Sequence, residues 1–240
     1  MGYRLTSDYK IPHKLKPHDR IRRIEEAKTI LGYLEKQKKV NYKDMITGDE
    51  SWFFINSKCR KCYILKEEPR PEYVIRNIDT GKVMFNVLFN ASGMVVADFL
   101  PKGATFDAEY FETNILSKLV SYYEKKRPAQ KCKNLLLHYD NARPHIANRV
   151  REFLTSNDII RVANPAYSPD LSPSDYFLFP GLKATLEMKS YKSVDELKAE
   201  ILSVFNSYDK SHFRHAFDQW IVRCKWVIEN NGDYYREYKL

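Results

Sequence analysis

The apolar patterning of the chain predicts an α/β domain built on a mixed sheet. Three observations carry this. A stretch rich in aromatic and β-branched residues, 45–56, reads as a strand. Residues 82–99 alternate apolar and polar on either side of Asn90-Ala91-Ser92-Gly93, a hairpin signal. Beyond them short apolar runs alternate with segments of helical period, and the chain closes in helices alone.

The elements follow in order. Residues 1–16 are irregular, with Pro12 and Pro17 as punctuation. From Pro17 to Lys38 the spacing of Ile21, Ile24, Ile30, Leu31 and Leu34 predicts a helix with a basic outer face. Residues 57–81 are polar, basic and Pro-containing, and read as a long loop or β-arm, a length that points to function or disorder. A helix is expected over 107–127, with Phe111, Ile115 and Leu119 four apart, Asp107 or Thr105 as cap, and Lys125-Lys126-Arg127 at the negative end of its dipole. Residues 134–139 form a short apolar run, the mark of a buried strand. A helix from Pro144, with Ile146, Val150, Phe153 and Leu154 on one face, leads to a strand at 159–163. After a Pro-rich turn, Ser172 and Pro173 open a helix carrying Leu178, Leu182 and Leu186. Ser193 and Glu196 form a capping box for the next. The last runs from about Ser211 to Glu229, with Phe213, Phe217, Trp220, Ile221, Cys224 and Ile228 as its apolar stripe.

Composition narrows the function. The 240 residues are 43% hydrophobic and 30% charged, an ordinary globular balance. No apolar run reaches the roughly 20 residues needed to span a bilayer, and Met1-Gly2-Tyr3-Arg4 does not open a signal peptide, so a soluble intracellular protein without a membrane partner is expected. The net charge is +9, of which residues 1–44 supply +6. A basic arm ahead of a nearly balanced domain points to a polyanion such as nucleic acid; a solvated, charge-rich helix accounts for it equally well. Cys59-Arg60-Lys61-Cys62 is half of a possible zinc site with no second pair nearby, so free thiols are the simpler reading. His212 and His215 share a helix face but have no third ligand close in sequence, and read as surface or packing residues.

Three acids stand where a phosphoryl-transfer site would need them. Such chemistry takes hard oxygen ligands of high charge on rigid backbone, holding two ions roughly 3.5–4 Å apart. Asp49 sits inside a Trp-Phe-Phe-Ile strand, where an acid is costly to bury unless paired. Asp140 ends the buried strand, the end at which open α/β sheets bind ligands. Asp175 lies in the first turn of a helix. Each has an ordinary reading too: an edge-strand surface residue, the start of an Asp-Asn turn, and the acidic half of a capping box with Ser172.

The local strings are more specific. Thr47-Gly48-Asp49-Glu50-Ser51-Trp52, His138-Tyr139-Asp140-Asn141-Ala142-Arg143-Pro144-His145 and Tyr167-Ser168-Pro169-Asp170-Leu171-Ser172-Pro173-Ser174-Asp175-Tyr176 resemble the three signature blocks of mariner-family DNA transposases. Residues 141 to 174 separate the second and third Asp, the 34-residue gap of that family. Ile11-Pro12-His13-Lys14-Leu15 resembles its linker motif, and Trp220, Cys224 and Asn231-Gly232-Asp233-Tyr234 its usual ending. The resemblance implies a ribonuclease H-like fold, a mixed five-stranded sheet flanked by helices, over 45–240, with 1–44 as linker and helix and 57–81 as an inserted clamp-like loop. It implies that Asp49, Asp140 and Asp175 bind two Mg²⁺ or Mn²⁺ ions, that the domain cuts transposon ends and joins them to a TA target in the nucleus, and that linker and clamp loop pair two copies into a homodimer. Tyr139 stands where the family usually has His, with His138 one step back; this alters hydrogen bonding around the site and leaves the ligand. The family carries two helix-turn-helix modules ahead of its linker, and this chain starts just before the linker, so sequence-specific end recognition is not expected of it alone. Two other readings stay open: a transposase-derived protein that binds DNA or dimerises without catalysis, and a cellular ribonuclease H acting on RNA–DNA hybrids, against which the Tyr-Ser-Pro-Asp-Leu-Ser-Pro block argues.

Overall fold

The computed structural model describes residues 11–55, 81–186 and 189–236. The CxxC and nearly all of the expected clamp-like loop lie outside them. Five strands, β1 (Met45–Phe54), β2 (Lys82–Asn90), β3 (Gly93–Phe99), β4 (Leu135–Tyr139) and β5 (Ile159–Ala163), form one sheet in the order β3-β2-β1-β4-β5. The connections explain its mixed character. A tight turn joins β2 to β3, so they pair antiparallel; there the Asn90 side chain accepts the Ser92 N–H at 2.8 Å and Gly93 takes φ +118°. Helical crossovers precede β4 and β5, which run parallel to β1 and to each other.

Helices cover both faces. One layer is α2 (Ala108–Tyr110), α3 (Ser117–Lys126), α4 (Arg143–Ile146) and α5 (Asn148–Ser156). It buries Phe111, Ile115, Leu119 and Val150 against Ile46, Leu88, Leu137 and Tyr139. The other is α1 (Pro17–Lys38), α6 (Phe179–Leu186), α7 (Val194–Ser207) and α8 (Lys210–Glu229). It packs Ile30, Leu34, Leu182, Phe217 and Trp220 against Phe53, Phe85, Val87 and Phe89.

Several expected elements change in detail. The helix expected at 107–127 is capped by Asp107, whose carboxylate accepts the Tyr110 N–H at 2.8 Å, but a π-helical segment, Phe111–Leu116, lies between α2 and α3. A second, Ser174–Leu178, opens α6, and such widened turns cluster at functional sites. The helix from Pro144 is two helices, broken where Ala147 takes an extended ψ of 148°. Val227, not Ile228, completes the buried stripe of α8.

The largest change is in α1. Its inward face is Arg23, Ala27, Ile30 and Leu34, while Ile21 is exposed. The Arg23 guanidinium is wholly buried. It donates to both oxygens of Asp170 (2.9 and 2.7 Å), to the Ser168 hydroxyl (2.5 Å) and to the carbonyls of Gly232 (2.9 Å) and Asp233 (3.1 Å). Tyr234 stacks on it at 4.7 Å. One side chain therefore ties the N-terminal helix to the chain ending and to the turn that leads to Asp175.

Gly48 has a packing reason. A Cβ there would lie 2.4 Å from both the Val87 carbonyl oxygen and Leu88 Cδ2, and 2.9 Å from the Tyr139 ring. Close backbone approach is what a strand glycine permits. Gly48→Ala is expected to lower stability by about 1–3 kcal/mol through overpacking. Chemical denaturation checks it, and an unchanged midpoint would count against this packing.

Candidate active site

The three aspartates converge. Asp49 lies midway along β1, the central strand, so it is not an edge-strand surface residue. It shares a strand face with Thr47 and Phe53, the face covered by α6 and α8. Asp140 follows the last residue of β4, and Asp175 lies in the π-helical turn ahead of α6, on that same side. Their electrostatics show the proximity. Asp49 is held well above the usual carboxylate range, first by burial, then by Asp175, Glu50 and Asp140. Asp175 is pushed up to about 6 by burial, against a hydrogen bond from Ser172, with the charge of Asp140 adding to the rise.

The ordinary readings resolve separately. Asp175 is not a capping-box acid, because the Ser172 N–H goes to the Pro169 carbonyl at 3.2 Å. Ser172 opens the turn through its own carbonyl, which accepts from the N–H groups of Asp175 and Tyr176 at 2.9 and 3.0 Å. Asp140 does form an Asp-Asn turn: its Oδ1 accepts the Ala142 N–H at 2.9 Å. That bond immobilises the carboxylate without preventing it from serving as a ligand. The neighbouring Asn141 donates to the Asn164 carbonyl at 2.6 Å and accepts from Arg161 at 2.6 Å, which ties the end of β4 to β5.

Two residues to which the sequence assigned no role join the site. His145 is buried, with Nδ1 2.5 Å from Asp140 Oδ1 and Nε2 3.5 Å from Glu50 Oε2. Burial alone would raise Asp140; the His145 hydrogen bond and charge, with the Ala142 N–H, outweigh it and hold Asp140 below its ordinary value. Glu50 is raised, chiefly by burial. Both residues stood inside the signature strings, but nothing in their spacing linked one to the other. His138 and Tyr139 part company across the sheet. His138 faces Trp220, accepts or donates a 2.9 Å bond with Thr47, and burial pulls its pKa down to about 3, so it is neutral. Tyr139 faces the opposite layer, against Phe111 and His145.

The donor set suits a hard divalent cation: three anionic oxygen donors, two of them pushed toward protonation by burial and by neighbouring carboxylates. Opposing positive charge at Asp175 comes from Lys183. Among the described residues no group of three His, Cys, Asp or Glu is already arranged as a ligand set. His212 and His215 are exposed on α8, His212 paired with Asp209 at 3.2 Å, and Cys132 and Cys224 are free and buried. Among the described residues no helix is long and apolar enough to cross a membrane.

The sheet order, the helices on both faces and the clustered acids define a ribonuclease H-like domain. The crystal structure of the catalytic domain of Mos1 mariner transposase shares this architecture with a TM-score of 0.75 and 25% identity, over 95% of this chain and 100% of that one. The crystal structures of the mariner Mos1 paired end complex with Mg and with Mn give TM-scores of 0.85 and 0.84 at 26% and 27% identity, each over 98% of this chain and 69% of that one. The family described as transposase (partial DDE domain) matches residues 53–133. In sequence the chain is 26% identical to the mariner Mos1 transposase of Drosophila mauritiana over 93% of its own length and 65% of that protein. It is 25% identical to the histone-lysine N-methyltransferase SETMAR of Homo sapiens over 94% of its length and 33% of that protein. The chain is thus similar to mariner-type DNA transposases over their catalytic domain. It spans less than two thirds of the curated relatives it matches.

Proposed function

We propose that this domain performs metal-dependent DNA cleavage and strand transfer, with Asp49, Asp140 and Asp175 as ligands of two Mg²⁺ or Mn²⁺ ions. The observation that carries the reading is the meeting of three acids from separate elements beside the carboxyl end of β4, where Asp140 and Asp175 raise Asp49 and Asp140 raises Asp175. Relatives solved with Mn and with Mg support the choice of ion. Ions bound there lower the cost of generating a hydroxide nucleophile and of charge on the leaving oxygen in an in-line displacement. The chain's own residues hold the geometry. Asp49 is fixed on the central strand, where its Oδ1 accepts the Glu50 N–H at 2.8 Å. Asp140 is fixed by His145 and Ala142, and Asp175 by the Ser172 turn.

On this reading residues 1–44 are a linker and helix docked on a catalytic domain of 45–240. The substrates are transposon ends and a TA target, two copies act as a homodimer through linker and clamp loop, and the work is done in the nucleus. Exposed Lys and Arg supply sequence-independent phosphate contact, which weakens steeply with salt. The second reading, DNA binding or dimerisation without cleavage, draws on the likeness to SETMAR, a protein named for methyltransferase activity. Incubation with supercoiled plasmid and Mn²⁺ separates the two. The wild-type chain is expected to nick the plasmid, and Asp140→Asn to leave it intact. Equal nicking by both, or none by either, rules out the catalytic reading.

A further inference from the structure

We propose that Glu50 and His145 are positioning residues for Asp140: a carboxylate–imidazole–carboxylate relay behind the site that fixes one oxygen of Asp140 and leaves the other to a cation. The inference rests on the functional reading above and extends it to the opposite face of the sheet.

Strand alternation puts Glu50 on the face away from Asp49, toward α2–α5. Glu50 is therefore not a fourth member of the ligand set, and its burial needs another cause. His145 supplies one. The imidazole is 1% exposed, enclosed by the rings of Phe111 at 4.7 Å, Tyr139 at 4.2 Å and Phe106 at 5.7 Å. Between those walls Nδ1 lies on Asp140 and Nε2 faces Glu50. An ionised carboxylate only accepts, so Nδ1 carries the proton and donates to Asp140 Oδ1. That oxygen also takes the Ala142 N–H, and both bonds are made through Oδ1. Asp140 is held at one oxygen from behind.

The rest of the face completes the relay. Asn86 stands opposite Glu50 in the β1–β2 register, with Asp98 on its other side in β3. Among the described residues, Glu50 Oε2, His145 Nε2, both amide atoms of Asn86 and the Tyr139 hydroxyl are buried without a hydrogen-bond partner. These polar atoms gather on one face of the sheet as a polar layer around His145, in which an unpaired group is costly to bury. An apolar plug would serve as well if His145 only filled space.

The test is Mn²⁺ binding to the full chain, read as free Mn²⁺ by electron paramagnetic resonance, with far-UV circular dichroism as a folding control. His145→Phe keeps the aromatic volume and removes the donor, and is expected to weaken binding by about tenfold or more, the usual consequence of losing a hydrogen bond to a metal ligand. His145→Asn returns an N–H near the Nδ1 position and is expected to recover most of that loss. Glu50→Gln, which weakens the hold on the ring, should fall between. Wild-type affinity in His145→Phe, or no recovery in His145→Asn, overturns the relay. If His145→Phe does not fold, wild-type affinity in Glu50→Gln overturns it. A wild-type chain with no Mn²⁺ binding that Asp140→Asn abolishes sinks the functional reading itself, and the relay with it.

Discussion

Asp175→Asn is expected to make the metal-free protein more stable at pH 7.5 while abolishing cleavage. Burial pushes the folded-state pKa of Asp175 from 3.8 up to about 6. A carboxylate with a raised folded pKa leaves stability intact below its unfolded pKa. The penalty develops as pH rises from about 4 and is complete above about 6. A shift of roughly two pKa units is worth about 3 kcal/mol at neutral pH. Asp49 moves in the same direction, and Asp140, held below its ordinary value, in the opposite one. A neutral amide at 175 cannot ionise, so the variant escapes this cost at pH 7.5 and has no advantage at pH 4. For a chain of this size the gain corresponds to about 5 °C or more in melting temperature. Mn²⁺ is expected to stabilise the wild-type chain more at pH 7.5 than at pH 5, since it binds the ionised cluster of the folded form. Thermal melts at the three pH values, with and without Mn²⁺, check this. Melting temperatures of wild type and Asp175→Asn that move in parallel across the range would disprove it.

Arg23→Met is expected to destabilise the fold by about 3–5 kcal/mol, the usual cost of removing one partner from a buried ion pair. Met fills similar volume, so the loss is not mainly a cavity. What remains is the Asp170 carboxylate, 10% exposed, still accepting the Tyr235 N–H at 2.9 Å but without its guanidinium, together with freed carbonyls at Gly232 and Asp233. Adding Asp170→Asn removes the stranded charge and should recover part of the loss, as coupled neighbours do. Because the same network holds the Ser168–Leu171 turn ahead of Asp175, Mn²⁺ affinity is expected to fall in Arg23→Met even where the protein is fully folded. Urea unfolding gives the first quantity; a cost below about 1 kcal/mol would show that Arg23 is held passively.

The network also shows why some of the molecule was hidden from its sequence. An arginine among basic residues reads as solvent-facing, so the inward place of Arg23 is not legible in the sequence; of the expected apolar stripe, Ile30 and Leu34 are buried and Ile21 is exposed. Only the docking of α1 on α8 and the chain ending brings Ser168, Asp170 and two carbonyls to one guanidinium, and no local pattern encodes that meeting. The same holds for Glu50 and His145. Two-residue alternation puts Glu50 opposite Asp49, but which face is catalytic depends on where Asp175 arrives, and Asp175 belongs to a different layer. In β4, where all five residues are buried, alternation gave no sign that His138 and Tyr139 serve different layers. The π-helical turns at Phe111–Leu116 and Ser174–Leu178 and the break at Ala147 carry no Gly or Pro signal of their own, and follow from packing.

The sequence by itself determined the strand and helix order, the hairpin at Asn90–Gly93, the caps at Asp107 and Ser193, and the three aspartates with their 34-residue gap. These are set by local backbone preference, short-range periodicity and motif strings, all readable along the chain. The tertiary structure alone decided that Asp140 and Asp175 come near enough to Asp49 to raise its pKa, that a buried arginine fastens the N-terminal helix to the turn before Asp175, and that His145 backs Asp140. Those depend on long-range contacts in a low-dielectric interior, where the strength of an interaction is set by which groups the fold brings together and how far it excludes water.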